Sequence, residues 1–250
     1  MSHERAVTKT IGRAIHRFEM LAPGDRVLVG VSGGKDSYVL LSDLLSRRSR
    51  MPFAYAIEAL HVRSDFAPPA TDAAVARVKA ECDVPFHILD VGIRRRLKPG
   101  RSLSCYWCST QRRLELIDFA VQNGFTKIAL AHHLDDILET FFMNMMFRGT
   151  ISTMMPVLKY DKYPVTIIRP LAMLEERSIV QLVEERGFSG AVCTCPFAEH
   201  SDRRKARGRI EALTGGSSSI KRRIFESMGR VRTEYLFNSE PNSHDRPVTA

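Results

Sequence analysis

Apolar and polar blocks alternate along the chain in a regular order. Short continuous apolar runs, rich in Val, Ile and Leu, occur at residues 26–31 (RVLVGV), 54–62 (AYAIEALHV), 85–91 (PFHILDV), 126–131 (TKIALA) and 165–169 (VTIIR). Runs of this length without polar alternation predict strands buried on both faces. Between them, apolar residues recur at helical spacing. Helices are predicted from Lys35 to Ser46, with Val39, Leu40, Leu44 and Leu45 inward, and from a Thr71 or Asp72 cap to near Cys82. Further helices are predicted from Thr110 to Asn123 with Gly124 closing, from Asp136 to Phe147, and from Glu175 to Arg186 with Gly187 closing. Residues 1–22 read as an amphipathic helix with Ile11, Ile15, Phe18 and Leu21 on one side.

Strands alternating with helices imply right-handed crossovers and an α/β fold, a doubly wound parallel sheet with helical N- and C-terminal additions. Ligands in such sheets sit at the carboxyl ends of the strands. Residues 32–37, the segment after His61, and residues 131–136 therefore share one rim. From Gly215 the chain reads GGSSS, a flexible break. Residues 238–250 are polar and read as a disordered tail.

Composition narrows the class. The chain has 250 residues, 44% hydrophobic and 26% charged, enough for a substantial core. It has no apolar run near the ~20 residues that span a bilayer, and its start lacks a signal-peptide pattern. A cytosolic protein with no membrane partner is expected. Net charge is +9, and between His200 and Phe237 ten Lys or Arg face four carboxylates. This basic extension suits phosphate backbones or, equally, a solvated helix face. Five cysteines, Cys82, Cys105, Cys108, Cys193 and Cys195, point to metal or redox chemistry rather than a disulfide framework.

Ser32-Gly33-Gly34-Lys35-Asp36-Ser37 joins the first strand to a helix. The glycines let an anion approach backbone N–H groups, the helix start adds positive potential, and Lys35, Ser32 and Ser37 can add donors. Spacing excludes a Walker A loop, and the dinucleotide fingerprint lacks its third glycine. A carboxylate inside such a cradle, Asp36, points to a Mg²⁺-bound polyphosphate.

Cys105 and Cys108 lie just before or on the first turn of a helix, where both sulfurs can face one point and Arg112 and Arg113 favour the thiolates. By itself this C-x-x-C fits metal, redox and structural roles. Cys193 and Cys195 could complete a four-cysteine zinc site. Alternatively, three cysteines would leave one iron of a [4Fe–4S] cube open. His132, His133, Asp135 and Asp136 could form a metal site, but adjacent side chains diverge, so all four are not expected on one ion. One carboxylate is expected to cap the helix and one to face the nucleotide.

SGGKDS after a first hydrophobic strand resembles the PP-loop of the ATP pyrophosphatases, an adenine nucleotide alpha hydrolase-like fold. Those enzymes split ATP into AMP and pyrophosphate. Added to it are Cys105-Tyr-Trp-Cys108 with Arg112-Arg113, the His132-His133-Leu134-Asp135-Asp136 strand end, Ile168-Arg169-Pro170-Leu171, and Cys195. From about Phe18 to Pro196 the chain resembles the tRNA 2-thiocytidine synthetase family.

That resemblance implies an ATP-dependent tRNA sulfurtransferase. ATP adenylates a pyrimidine carbonyl oxygen, and cluster-bound sulfide displaces AMP. It implies Cys105, Cys108 and Cys195 as [4Fe–4S] ligands. Ser32, Gly33, Gly34, Lys35, Asp36 and Ser37 would bind ATP and Mg²⁺, with His61, Ala131 and Asp136 on the same rim. Lys35, Asp36, Arg112 and Asp136 would carry the chemistry. Trp107, beside the cluster cysteines, would stack on the base or pack in the core.

The implied partners are tRNA and a sulfur donor, either a cysteine desulfurase or sulfide, with a homodimer as one possible assembly. The implied organisation is an N-terminal helix (1–22), a PP-loop domain carrying the cluster (23–198), a basic helical extension (199–237) and the tail. Two departures stand out. Ala131 replaces the family's usual glycine, and the stretch after Cys195 is Pro196-Phe197-Ala198-Glu199-His200. Two other readings remain open: a PP-loop ligase or sulfur-incorporating enzyme acting on a small molecule, and a non-enzymatic cluster- or zinc-binding RNA or redox protein.

Overall fold

Val27, Leu28 and Val29 are wholly buried, which makes β1 (Arg26–Gly30) the central strand. The computed structural model describes residues 2–65, 69–98, 100, 103–190 and 202–236. In chain order the elements are α1 (His3–Arg17), β1, α2 (Lys35–Arg48), β2 (Ala56–Ser64), α3 (Pro69–Glu81), β3 (Phe86–Val91), α4 (Cys105–Gln122), β4 (Lys127–Ala129) and α5 (Leu134–Arg148). They continue with β5 (Val157–Lys159), β6 (Thr166–Ile168), α6 (Glu176–Glu185), α7 (Asp202–Thr214) and α8 (Ser218–Ser227). The sheet order is β3-β2-β1-β4-β6-β5. Every pairing is parallel except that of β5 with β6.

Strand alternation divides the core. Val27 and Val29 face α1, α2 and α6 through Ile11, Leu40, Leu44 and Leu182, whereas Leu28, Ile128 and Ile167 face Leu116, Ile117 and Ala120 of α4. Helices therefore cover both faces, as expected for a parallel sheet. A third cluster docks the C-terminal pair. Ala206 and Ile210 of α7 and Phe225 of α8 pack on Leu134, Ile137, Leu138 and Phe142 of α5. Burial of Ile210 and Phe225 contributes roughly 1.5–3 kcal/mol each. No helix among the described residues is long and apolar enough to cross a membrane.

Four local expectations are corrected. α4 begins at Cys105 rather than Thr110, because Ser104 caps it by accepting from the Trp107 N–H at 3.1 Å. α5 begins at Leu134 rather than Asp136, because His133 is its cap. α3 begins at Pro69, ahead of Thr71 and Asp72, a position that suits proline in a first helical turn. The GGSSS stretch is a hydrogen-bonded turn rather than a flexible break. Gly215 N–H donates to the Glu211 carbonyl and Ser217 N–H to that of Thr214, and Ser217 then caps α8. The antiparallel edge strand β5, three residues long, was not predicted. The tail, Cys193 and Cys195 lie outside the described residues.

The strand order fixes the site. From β1 the chain crosses to β2 on one side, while β4 pairs on the other, with Val29 opposite Ala129. That reversal opens a crevice at the carboxyl ends of β1 and β4, between the turn after β1 and residues 131–136.

Candidate functional site

The turn after β1 is braced by its own hydroxyls. Ser37, 2% exposed, donates its Oγ–H to the Gly34 carbonyl at 2.9 Å and accepts the Ser32 N–H at 3.2 Å. Ser32 Oγ accepts the Gly34 N–H at 3.2 Å. Ser37 has one proton and has committed it, so the anion donors here are backbone N–H groups, not both serines. Gly33 stands at φ +84°, where a side chain would be strained and would press on Thr71 and Val75. The first-turn N–H groups of Lys35, Asp36 and Ser37 have no carbonyl to accept them inside α2.

Lys35 Nζ reaches Glu176 Oε1 at 2.9 Å and Asp36 at 3.4 Å. Burial works against this ammonium, but Glu176 and Asp36 outweigh it and hold the Lys35 pKa above its ordinary value. Burial pushes the Asp36 carboxyl up, only partly offset by Lys35. Asp36 Oδ1 is buried and receives no hydrogen bond among the described residues. A buried carboxylate oxygen in a phosphate cradle, with no hydrogen bond and only the Lys35 ammonium at 3.4 Å, fits a divalent cation.

A cleft of about 260 Å³ lies over this turn. Its walls include Ser32, Asp36, Ser37, Arg112, Ala131 and Asp136 from the expected set, together with Arg113 and His132. Gly33, Gly34 and Lys35 sit beneath it rather than in its wall. His61 does not line it. Leu60 and Val62 do, so alternation turns His61 to the other face. There it is 2% exposed, with Nδ1 donating to the Val31 carbonyl at 2.7 Å. Burial holds its pKa below the ordinary range. His61 positions the backbone leading into the turn.

α4 forms the opposite wall with Ser109, Arg112, Arg113 and Leu116. Neither arginine makes an ion pair among the described residues. Cys105 stands four residues before Ser109, and Cys108 four before Arg112. Each is thus one turn, ~5.4 Å, beyond the cleft on the same helical face. Cys105 is exposed and Cys108 half-buried. Trp107 packs into the α4 core with its indole N–H buried, which answers the stacking expectation in favour of the core.

The strand end after β4 separates its four polar residues. His132 lines the cleft. His133, 3% exposed, closes a capping box: its Nδ1 accepts the Asp136 N–H, and Asp136 Oδ2 accepts the His133 N–H at 3.1 Å. Asp136 therefore both caps the helix and faces the cleft, where division of these tasks between two carboxylates was expected. Burial disfavours its charge, but His133 and Arg203 outweigh that and hold its pKa low. Asp135 turns away, accepting the Glu176 N–H at 2.7 Å and Lys221 Nζ at 3.0 Å. No group of three metal-ligating side chains occurs among the described residues.

The C-terminal helices, read from sequence only as a basic patch, reach into this site. Arg203 pairs with Asp136 at 3.3 Å and Arg207 with Glu139 at 2.5 Å and Glu176 at 3.1 Å. Lys221 is internal, paired with Asp135. These cations neutralise acids of the domain, while Arg223 and Arg232 are exposed and Arg222, also exposed, reaches Glu175 only at 3.9 Å. A larger cavity of about 510 Å³ between α6, α7 and α8 is crossed by the same ion pairs. Gly190, the last described residue before 202, packs so tightly on the turn that a Cβ would lie 2.7 Å from Lys35 N. Gly190 thus stands beside the PP-loop and Arg203 beside Asp136.

Comparison with known proteins agrees with this geometry. The PP-loop domain profile matches residues 5–189. The chain is 34% identical over 243 residues to the tRNA-cytidine(32) 2-sulfurtransferase of Geobacter metallireducens, covering 94% of this chain and 93% of that one. It is 37% identical over 210 residues to the protein of that name from Variovorax paradoxus, covering 83% and 68%. Among solved structures, the U34-tRNA thiolase NcsA from Methanococcus maripaludis, with its [4Fe–4S] cluster, superposes with a TM-score of 0.77 at 21% identity, over 96% of this chain and 81% of that one.

Proposed function

The chain belongs to the PP-loop family and, within it, to the tRNA-cytidine 2-sulfurtransferases, and from that premise we propose that its cleft activates a tRNA pyrimidine with ATP for thiolation at C2. Cytidine 32, the target in the relatives' names, is the position to test first.

The chain's own groups divide the work. Backbone N–H groups of the turn and of the first turn of α2 cradle the polyphosphate, with Arg112 and Arg113 opposite. Asp36 is placed to hold Mg²⁺ against it. The C2 carbonyl oxygen attacks the α-phosphorus, and pyrophosphate leaves. Sulfide then adds at C2, and the C2–O bond breaks with AMP as leaving group. The oxygen departs with AMP and no net electron transfer is needed. Adenylation converts a poor leaving group into a good one.

Cys105 and Cys108 fit a [4Fe–4S] cluster in donor type, i,i+3 spacing and position at a helix start, with Cys195 as the proposed third ligand. Such a cluster, when bound, supplies a sulfur that does not diffuse away. Arg112, one turn from Cys108 and in the cleft wall, would be available both to the phosphates and to the transferred sulfur. Exposed Arg222, Arg223 and Arg232 are offered to the tRNA backbone. The sulfur donor is proposed to be a cysteine desulfurase or sulfide. The exposed apolar side chains of Ile151, Met155 and Tyr235 support a homodimer. A tRNA substrate implies a cytoplasmic location.

The observation that carries this reading is the juxtaposition on α4. Arg112 and Arg113, which make no ion pair among the described residues, line the cleft opposite the PP-loop, and Cys105 and Cys108 stand one turn before Ser109 and Arg112 on the same helix. The test is mass spectrometry of tRNA nucleosides from a strain lacking the gene. Loss of 2-thiocytidine, restored by the wild-type gene but not by Lys35→Ala or Cys108→Ala, is expected. Unchanged tRNA thiolation in that strain contradicts the proposal.

A further inference from the structure

Arg169 follows β6 and is 3% exposed, yet no carboxylate lies within ion-pair distance of it among the described residues. A buried guanidinium without a counter-ion is costly and is rarely kept for stability. Its hydrogen bonds go instead to neutral acceptors. One N–H is donated to the Met155 carbonyl, and Nε–H is donated to His132 Nδ1 at 3.2 Å. Burial and nearby Arg113 bring its pKa down to about 10, so it stays charged at neutral pH.

The direction of that second bond fixes the state of His132. A guanidinium has only donors, so Nδ1 must offer its lone pair and the ring proton must sit on Nε2. A second proton on Nδ1 would oppose the Arg169 N–H. Burial resists protonation of the ring most, and Arg169 from the end of β6, Arg203 from α7 and Arg113 from α4 add to it, opposed by Asp136. The result is a neutral imidazole in the cleft wall whose only available function is to donate from Nε2.

We propose that His132, oriented by Arg169 as a fixed neutral Nε2–H donor, hydrogen-bonds an α-phosphate oxygen of ATP. This rests on the adenylating role proposed above. The α-phosphate is the one group at the reacting centre in both half-reactions. Its oxygens gain charge as the carbonyl attacks, and the same phosphate leaves with AMP. Arg112, Arg113 and the backbone N–H groups supply the charge-dense contacts. His132 adds a donor that cannot lose its proton to sulfide or to the base near neutral pH. His132 is thereby a catalytic residue and Arg169 its positioning residue.

The test is ¹⁵N NMR of the histidine side chains in the full-length protein, with and without Mg²⁺ and the analogue α,β-methylene-ATP. No tRNA is needed, so this reading can fail or hold whatever the tRNA result. Expected are an Nε2-protonated His132 that does not titrate between pH 5 and 8, and a shift of its Nε2 signal when the analogue binds. Arg169→Met should free Nδ1 and raise the pH at which His132 titrates, though not to the ordinary value, because burial, Arg113 and Arg203 still oppose its protonation. His132→Ala should weaken analogue binding about 10- to 100-fold, and His132→Gln, which retains an N–H donor, should recover most of that. An Nδ1-protonated ring, titration of wild-type His132 near pH 6.5, or an Nε2 signal unmoved by a bound analogue would overturn the proposal.

Discussion

Replacing Gly190 by alanine puts a methyl carbon where the structure has no room for one. It would lie 2.7 Å from Lys35 N, 3.1 Å from Gly34 C and 3.1 Å from a Phe188 ring carbon. Ordinary contact begins near 3.4 Å, so the overlap with the Lys35 amide is about 0.7 Å. The two PP-loop neighbours are backbone and cannot rotate aside, so either the PP-loop or Gly190 must move. Overpacking of this kind costs about 1–3 kcal/mol of stability. The functional cost is separate. Amide donors tolerate roughly a 0.5 Å window, so a displacement of that size removes at least one hydrogen bond to a charged phosphate, about 1.5–3 kcal/mol. Binding of Mg²⁺ with α,β-methylene-ATP should therefore weaken about 10- to 100-fold by calorimetry. Gly208→Ala is the control. It lies inside α7 with open space around it and should stabilise the protein by about 0.5–1 kcal/mol with binding unchanged. A Gly190→Ala protein with wild-type urea midpoint and wild-type affinity would refute the reasoning.

Three further outcomes are expected. Arg207→Ala leaves the carboxylate of Glu139, 1% exposed, without its hydrogen-bond partner and should cost about 1–3 kcal/mol at pH 7. Burial already raises the Glu139 pKa, and losing Arg207 raises it further, so this cost should shrink as pH falls from 7 through those raised values and be smallest once the acid is neutral in both proteins; urea melts at pH 7 and 4 check it. Reversing Arg222 and Arg223 to Glu should weaken tRNA binding and reduce the salt slope by about one unit per contact, whereas Lys221→Glu should lower stability instead, since Lys221 pairs internally with Asp135; filter binding against salt, with melts alongside, separates the two. Cys82, buried and with its thiol pushed up to about 11 by burial, should resist iodoacetamide at pH 8 in the native protein and react after unfolding; peptide mass mapping reads this directly.

What could be read from the sequence was local. The strand–turn–helix at Ser32 to Ser37 was legible because two glycines, a lysine and a helix start are neighbours in the chain. The cysteine pair was equally plain, because i,i+3 spacing on a helix start is itself the geometry. Asp136 was placed correctly on the rim, but its double use was hidden, since a histidine cap is a rare way to open a helix. His61 was misplaced because rim membership was judged by strand end without counting the two-residue alternation, which gives the cleft Leu60 and Val62. The Lys35–Glu176 pair, the reach of Arg203 and Arg207 into the site, and the Gly190 contact were invisible. Each joins segments far apart in the chain, and a basic run looks the same whether its charges face tRNA or buried carboxylates.

Under the proposed function, ATP cleavage and sulfur transfer occur across one cleft, on one substrate. This is tested most directly by a single-turnover reaction of the anaerobically reconstituted protein with unmodified tRNA, ³⁴S-labelled sulfide and α-labelled ATP. The account predicts one ³⁴S-labelled 2-thiocytidine per AMP released, with both products lost together in Lys35→Ala. AMP release that proceeds at full rate without tRNA, or thiolation that proceeds without AMP, would contradict it.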